Sequence, residues 1–261
     1  STLIKSVLDL LPFESGQIET SWQADSRKLI PEQHMAFCPE NGAVFADITV
    51  ENYVKLWSRI KQGNPRYYLK EGGAVIELLQ LTPLFKKLGR ELSKGQRRRV
   101  QTAIGFLSNP KLFLFDEPFD GLDVQKTSEL VSIIREYNTA TAFIISSHRM
   151  DVVERIADRI VVLKEGKIVS NGNISQVCRD LGGEYLVIRN ISNPGLLVSA
   201  LRQSFPQVQV QQIGDDITLN ALKLNENEIG HLVQEIDNNG ARLELSKPNL
   251  VDAMNLHLAS I

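Results

Sequence analysis

Two adjacent carboxylates at the end of an apolar run are the first residues in this 261-residue sequence that could do chemistry. Leu112-Phe113-Leu114-Phe115 is followed directly by Asp116-Glu117-Pro118. A short continuous apolar run of this kind suits a strand buried on both faces, and open α/β sheets bind ligands at the carboxyl ends of their strands. Neighbours along a strand point to opposite faces, but where the chain turns away both acids can reach one site. The first, Asp116, suits a Mg²⁺ held near nucleotide phosphates. The second, Glu117, suits a general base that polarises an attacking water. Taken alone, an acid pair at a strand end is also an ordinary exposed feature.

Three further groups belong to the same argument. Leu92-Ser93-Lys94-Gly95-Gln96 lies upstream of the acids and opens a helix from Arg97. Ser93 can offer a hydroxyl and Gly95 a backbone N–H to a phosphate at the positive end of the helix dipole. Ser93 with Gln96 three residues on also fits a capping box, and both readings hold together. Lys94 and the run Arg97 to Arg99 add positive charge, although such runs are more often a solvated helix face. Downstream, Gly121-Leu122-Asp123 follows the acids, and Ser147-His148 ends the next apolar strand, which places His148 at the same sheet edge.

The elements that must position these residues form an α/β pattern. Apolar runs at Leu112 to Phe115, Ala142 to Ser146 and Arg159 to Leu163 alternate with helical stretches at Val124 to Tyr137 and Arg149 to Ala157. They read as a mostly parallel sheet, with Glu165-Gly166 turning a hairpin into Lys167 to Ser170. Thr2 to Leu11 has helical spacing up to Pro12, and a short strand is expected around Gln17 to Glu19. Val50 to Gln62 and Ala74 to Leu81 read as helices of a subdomain spanning about residues 50–91, with Gly63-Asn64-Pro65 between them.

A composition break near Asp180-Leu181-Gly182-Gly183 divides a first domain, 1–180, from an accessory module, 184–261. The module reads as strand (Tyr185 to Asn190), helix (Pro194 to Ser204), strands (Gln207 to Gln212 and Ile217 to Leu222), helix (Glu226 to Asp237) and strand (Ala241 to Ser246). That βαββαβ order is ferredoxin-like, and a final helix follows from Asn249 to Ser260. Pro194 suits a first helical position, Gly214-Asp215 a hairpin turn and Gly240 a C-cap.

Composition removes several function classes. The formal net charge of −2 gives no overall attraction to nucleic acid or an acidic membrane surface. No apolar run reaches the ~18–20 residues that cross a bilayer, so direct membrane insertion is not expected. No signal-peptide pattern is present at the N-terminus. Cys38 and Cys178 form no CxxC, and the histidines at 34, 148, 231 and 257 have no metal-ligand spacing. Two packed thiols in a reducing, cytosolic compartment are the expectation.

Through these residues the sequence resembles the ATP-binding cassette family. LSKGQ is similar to the signature LSGGQ, with Lys94 in place of a glycine. FLFDEP resembles the Walker B strand and its catalytic acid, GLD the D-loop, and SSH the switch histidine. Phe37-Cys38-Pro39-Glu40 matches the Q-loop position, with Glu40 where most members have Gln. Together the motifs span roughly residues 1–173. The resemblance implies a P-loop NTPase fold with ATP and Mg²⁺ as cofactors. It assigns Glu117 and His148 to catalysis, and Ser1, Asp116 and Glu40 to the metal. Ser1, Thr2, Glu40, Ser93, Lys94, Gly95, Gln96 and Asp123 are assigned to the nucleotide.

The family's phosphate loop reads GxxGxGK[ST], and Ser1-Thr2-Leu3 looks like the residues that follow its Lys. The resemblance therefore implies that the loop's glycines and Lys precede Ser1, and residues 1–261 alone are expected to bind ATP poorly. The tail, ending in Lys247-Pro248-Asn249-Leu250-Val251-Asp252-Ala253-Met254, is similar to that of single-cassette ATPases of two-gene exporters. Such a subunit dimerises and drives a separate transmembrane permease, so a homodimer on the cytoplasmic face of the membrane is expected. In that dimer Ser93 and Gly95 would act on the nucleotide of the other subunit. A non-transport ATPase and a degenerate regulatory subunit are the alternatives. Retention of Glu117 and His148 speaks against the second.

Overall fold

A computed structural model describes residues 1–20, 34–41, 44–182, 185–189, 191–206, 208, 210–220, 225–238 and 249–259. The chain divides into two compact units, Ser1–Arg149 and Met150–Ile261.

The first unit is built on a parallel sheet of β1 (Met35–Cys38), β2 (Leu112–Asp116) and β3 (Ala142–Ser146), with β2 in the middle. All five residues of β2 are buried. Its side chains alternate, as the strand period of two requires. Leu112 and Leu114 pack with Ile4 of α1 (Thr2–Val7) and Met35. Phe113 and Phe115 belong to the larger core beyond the other face. That core is shared by α2 (Val50–Gln62), α3 (Gly73–Leu78) and α4 (Lys94–Leu107). The last helix of the unit is α5 (Val124–Tyr137). At the start of α2, the Thr49 hydroxyl accepts the Asn52 N–H at 3.3 Å. Gly63, at φ +69°, stops the helix in the left-handed conformation that suits glycine.

Two helices end earlier than their apolar spacing predicts, and for the same reason. Asp9 takes φ +59° and Gln80 φ +49°. The Leu10 N–H then reaches back to the Lys5 carbonyl, and the Leu81 N–H to that of Ile76. These are left-handed helix stops on non-glycine residues. The strand expected around Gln17 to Glu19 does not form: those residues join no sheet among the described residues.

The second unit opens with α6 (Met150–Ile156), then β4 (Ile160–Lys164) and β5 (Lys167–Gly172). The hairpin at Glu165-Gly166 is present, with both residues at positive φ. The expectation that Arg159 to Leu163 joins the mostly parallel sheet is corrected here: among the described residues β4 pairs with β5 alone, antiparallel as the expected hairpin requires. A two-residue connection leaves no other choice, because parallel strands need a crossover of a dozen residues or more.

Beyond α7 (Ile174–Gly182) come β6 (Tyr185–Ile188), α8 (Pro194–Ser204), β7 (Val210–Ile213), β8 (Asp216–Asn220) and α9 (Glu226–Asn238). The sheet order is β6-β8-β7, all antiparallel. This is the arrangement of a split βαβ, with β8 inserted between the two strands that α8 connects. Pro194 occupies the first turn of α8 behind the Asn193 cap, and Gly214 turns the β7–β8 hairpin at φ +63°. The strand expected at Ala241 to Ser246, and the Gly240 cap, lie outside the described residues. The last helix, α10 (Leu250–Ala259), returns to α7, where Leu250 and Ala253 pack with Val177 and Leu181. Arg189 adds a charged tie, bonding Asp216 at 2.9 Å and Asp252 of α10 at 2.5 Å.

Both cysteines are free thiols. Burial pushes the Cys38 thiol up to about 11, against the lowering effects of the nearby Arg98 charge and a hydrogen bond with Thr102. A thiol held protonated is a poor nucleophile. In iodoacetamide at pH 8, peptide mass spectrometry should find Cys38 unmodified until denaturant is added. Labelling of Cys38 in the folded protein at the rate of a free thiol would contradict this.

Candidate active site

Three parallel strands bring their carboxyl ends to one edge of the first unit's sheet. Asp116 of β2 lies opposite Ser146 of β3, and β1 ends beside them at Cys38 before Pro39-Glu40. Ser146 organises the edge. Its hydroxyl donates to Asp116 Oδ1 at 2.7 Å and accepts the Glu117 N–H at 3.0 Å. Burial works to raise the Asp116 pKa, but hydrogen bonds from Ser1 and Ser146 outweigh it and hold the carboxyl below its ordinary value. The backbone nitrogen of Ser1 stands 3.5 Å from Asp116 Oδ1.

Glu117 takes φ +49°, a left-handed conformation that costs a non-glycine residue on the order of 1 kcal/mol. It is held there by its N–H, which also reaches the Ser146 carbonyl at 3.2 Å. Phe119, fully buried two residues on, anchors the turn that follows. Strained backbone of this kind persists where its surroundings over-determine it. The Glu117 carboxylate accepts from His148 twice, from Nδ1 at 2.9 Å and from the backbone N–H at 3.4 Å. A carboxylate with one oxygen fixed by a histidine, beside a second carboxylate tied to a serine, is an arrangement able to order and deprotonate a water.

The structure thus gathers Ser1, Asp116, Glu117 and His148 around Ser146. Other expected site residues have separate places. Ser93 and Gln96 form a reciprocal capping box at the start of α4, with the Gln96 N–H on Ser93 Oγ at 3.2 Å. Space around Gly95 is open. Lys94 Nζ pairs with Asp120 Oδ2 at 2.8 Å, in the turn after Glu117. Asp123 caps α5, accepting the Lys126 N–H at 2.9 Å. This bond and the Lys126 ammonium draw its carboxyl below the usual range. Thr2 is the exposed first residue of α1, and Glu40 is exposed while its carbonyl is bonded.

That bond exposes what sequence reasoning missed. Arg98, only 4% exposed, donates to the carbonyls of Pro118 (2.7 Å), Asp120 (2.9 Å) and Glu40 (2.7 Å). The one available signal was the four-residue spacing from Lys94, which puts both cations on one helix face.

The donors present fit a hard cation. Asp116 and the Ser1 hydroxyl are oxygen ligands, the type Mg²⁺ takes. Among the described residues no three His, Cys, Asp or Glu side chains group to hold a metal. Mg²⁺ is ordinarily bound through one or two carboxylates plus phosphate oxygens and water, which matches so sparse a donor set.

Known proteins similar to this chain carry ATP-binding names. The family described as "ABC transporter" matches residues 1–120, and one described as "AAA domain, putative AbiEii toxin, Type IV TA system" matches 89–154. The uncharacterized ABC transporter ATP-binding protein YhaQ of Bacillus subtilis is 28% identical over 191 residues, which cover 73% of this chain and 63% of that protein. The chain thus spans under two thirds of that relative's length. The linearmycin resistance ATP-binding protein LnrL of the same organism is 25% identical over 228 residues, covering 86% of this chain and 71% of the relative. A sulfate/thiosulfate import ATP-binding protein of Mesorhizobium japonicum is 30% identical over 183 residues, 68% of this chain and 53% of its own length. Among solved structures, one titled "Structure of ATP binding subunit of ABC transporter" shares the fold with a TM-score of 0.61 at 24% identity, covering 69% of this chain and 76% of that one.

Proposed function

We propose that this chain, which carries an ABC transporter ATP-binding domain, belongs to a subunit that hydrolyses ATP to drive a separate exporter permease. Proteins with this domain are ATPases that work with transmembrane components. The observation that carries the reading is the Glu117–His148 pair, held beside Asp116 at the carboxyl edge of the sheet.

In this reading Glu117 accepts the proton of the attacking water, and His148 fixes the carboxylate oxygen that faces it. Asp116 and Ser1 hold Mg²⁺, which would offset the charge of the β- and γ-phosphates. Ser93 and Gly95, at the N-terminus of α4, would meet the nucleotide of a second copy in a working homodimer. Glu40, in the loop after β1, and Asp123, at the cap of α5, would complete the nucleotide surroundings.

The export direction rests on the resemblance of the tail, Lys247 to Met254, to that of exporter ATPases. No helix among the described residues is long and apolar enough to cross a membrane. In the proposed assembly the permease supplies the attachment to the membrane.

The assembly is tested by affinity purification of the full-length protein from detergent-solubilised membranes. A permease should be recovered in comparable molar amount. In proteoliposomes, ATP supplied on the ATPase side should move substrate away from that side. Recovery with ribosomes or DNA instead, or transport in the opposite sense, would overturn the assembly or the direction respectively.

A further inference from the structure

We infer that Arg98 is a positioning residue for Glu117: from inside the first unit it fixes the loops after β1 and β2 relative to α4. The inference rests on the ATPase reading for its kinetic consequence, and on geometry alone for the positioning.

A buried guanidinium normally has a carboxylate beside it, because an unpaired buried charge is costly. The hydrogen bonds of Arg98 go instead to three backbone carbonyls, drawn from two loops, while the Asp120 carboxylate lies near enough to feel its charge. Nη1 takes the carbonyls of Pro118 and Asp120, and Nη2 that of Glu40. The planar fork is suited to this, since its donors have fixed relative directions that a lysine cannot reproduce. Pro118 and Asp120 directly follow Glu117, and the Asp120 N–H closes the turn on the Glu117 carbonyl at 3.3 Å.

One turn earlier on α4, Lys94 holds the side chain of the same Asp120, whose carboxyl is drawn below its ordinary value chiefly by that hydrogen bond. Helix α4 therefore grips the loop at two points, one buried and one exposed. Glu117 itself is fixed from the opposite side by Ser146 and His148. With the Arg98 contacts removed, the backbone after Glu117 rests on its turn, the Lys94 pair and Phe119. A displacement of the base by about 1 Å is enough to cost about 100-fold in rate.

The experiment compares Arg98→Met and Arg98→Lys with the parent full-length protein, using hydrogen exchange and steady-state ATP hydrolysis. Arg98→Met should raise amide exchange in residues 117–122, with the second half of α4 unchanged. It should lower kcat at least about 10-fold with KM for ATP within about threefold, the pattern of a lost transition-state arrangement. Arg98→Lys should recover part of kcat. Lys94→Ala should have a smaller effect that shrinks with added salt. Unchanged exchange in residues 117–122, or kcat per folded molecule equal to the parent, would overturn the positioning role. A parent without ATPase activity would defeat the functional reading instead, and the exchange comparison would still decide the positioning.

Discussion

Replacing Glu117 with Gln should lower ATP hydrolysis by about 10²–10⁴-fold, the range that general-base catalysis ordinarily supplies. The measurement uses the full-length protein. The substitution is nearly isosteric. Its amide oxygen can still accept from His148 Nδ1, which now lies 2.9 Å from the carboxylate, so the geometry of the pair survives. What disappears is the basicity needed to take a proton from water. The loss should therefore fall on kcat, while KM for ATP changes by less than about threefold. Thermal midpoint should barely move, because the change removes no buried contact. His148→Ala should have a smaller effect, since it leaves the base in place but frees its carboxylate oxygen. Hydrolysis by Glu117→Gln within about threefold of the parent would remove Glu117 from the catalytic role.

The parts of this fold legible in the sequence are those where one local force dominates. β2 is a continuous apolar run because both of its faces are covered, and its limits follow from composition. β3 carries a similar run, but Ala142 and Ile144 are exposed, so burial on both faces, expected for it too, holds for β2 alone. Helices α2, α5 and α8 are bounded by Thr49, Asp123 and Asn193, whose side chains cap N–H groups in the first turn. The stops at Asp9 and Gln80 were not legible. Any polar residue can take the left-handed conformation at a modest cost, and nothing in the residue type announces it. The placement of the acid pair and His148 at consecutive strand ends was readable, because each follows a continuous apolar run. Arg98 was not, because three consecutive arginines look like a solvated helix face. Only the packing of α4 against the loops after β1 and β2 makes the middle one a buried donor. The signature serine shows the limit of motif reading in another form: its capping bond is visible here, whereas its proposed contact needs a second copy.

Gly105→Ala should destabilise the protein by about 2 kcal/mol, although helix propensity alone predicts the opposite sign. Gly105 lies within α4, where alanine is favoured over glycine by about 1 kcal/mol. A methyl group there, however, would fall 2.0 Å from Cζ of Phe113, 2.6 Å from Cε1 and 2.8 Å from Cε2. Those atoms form the end of a rigid ring, so no flexible side chain can swing aside. Nor can the ring retreat freely. It is fully buried, stacked on Phe115 at 4.1 Å between centroids, and met edge-on by Phe106 at 5.0 Å. Relief requires α4 or β2 to move, and overpacking of this kind costs about 1–3 kcal/mol, occasionally more. The clash therefore outweighs the propensity gain, and the midpoint in thermal unfolding should fall by about 4–8 °C. Phe113→Leu removes the obstructing ring atoms. That substitution destabilises alone by leaving a cavity, but the double variant should be more stable than the sum of the two by at least about 1 kcal/mol. Because Phe113 stands three residues before Asp116 on β2, the displaced strand should also weaken Mg²⁺-dependent activity in the folded fraction. A Gly105→Ala protein as stable as the parent would show that α4 and β2 can separate at this point. The close approach of helix to strand would then have no part in holding the acid pair.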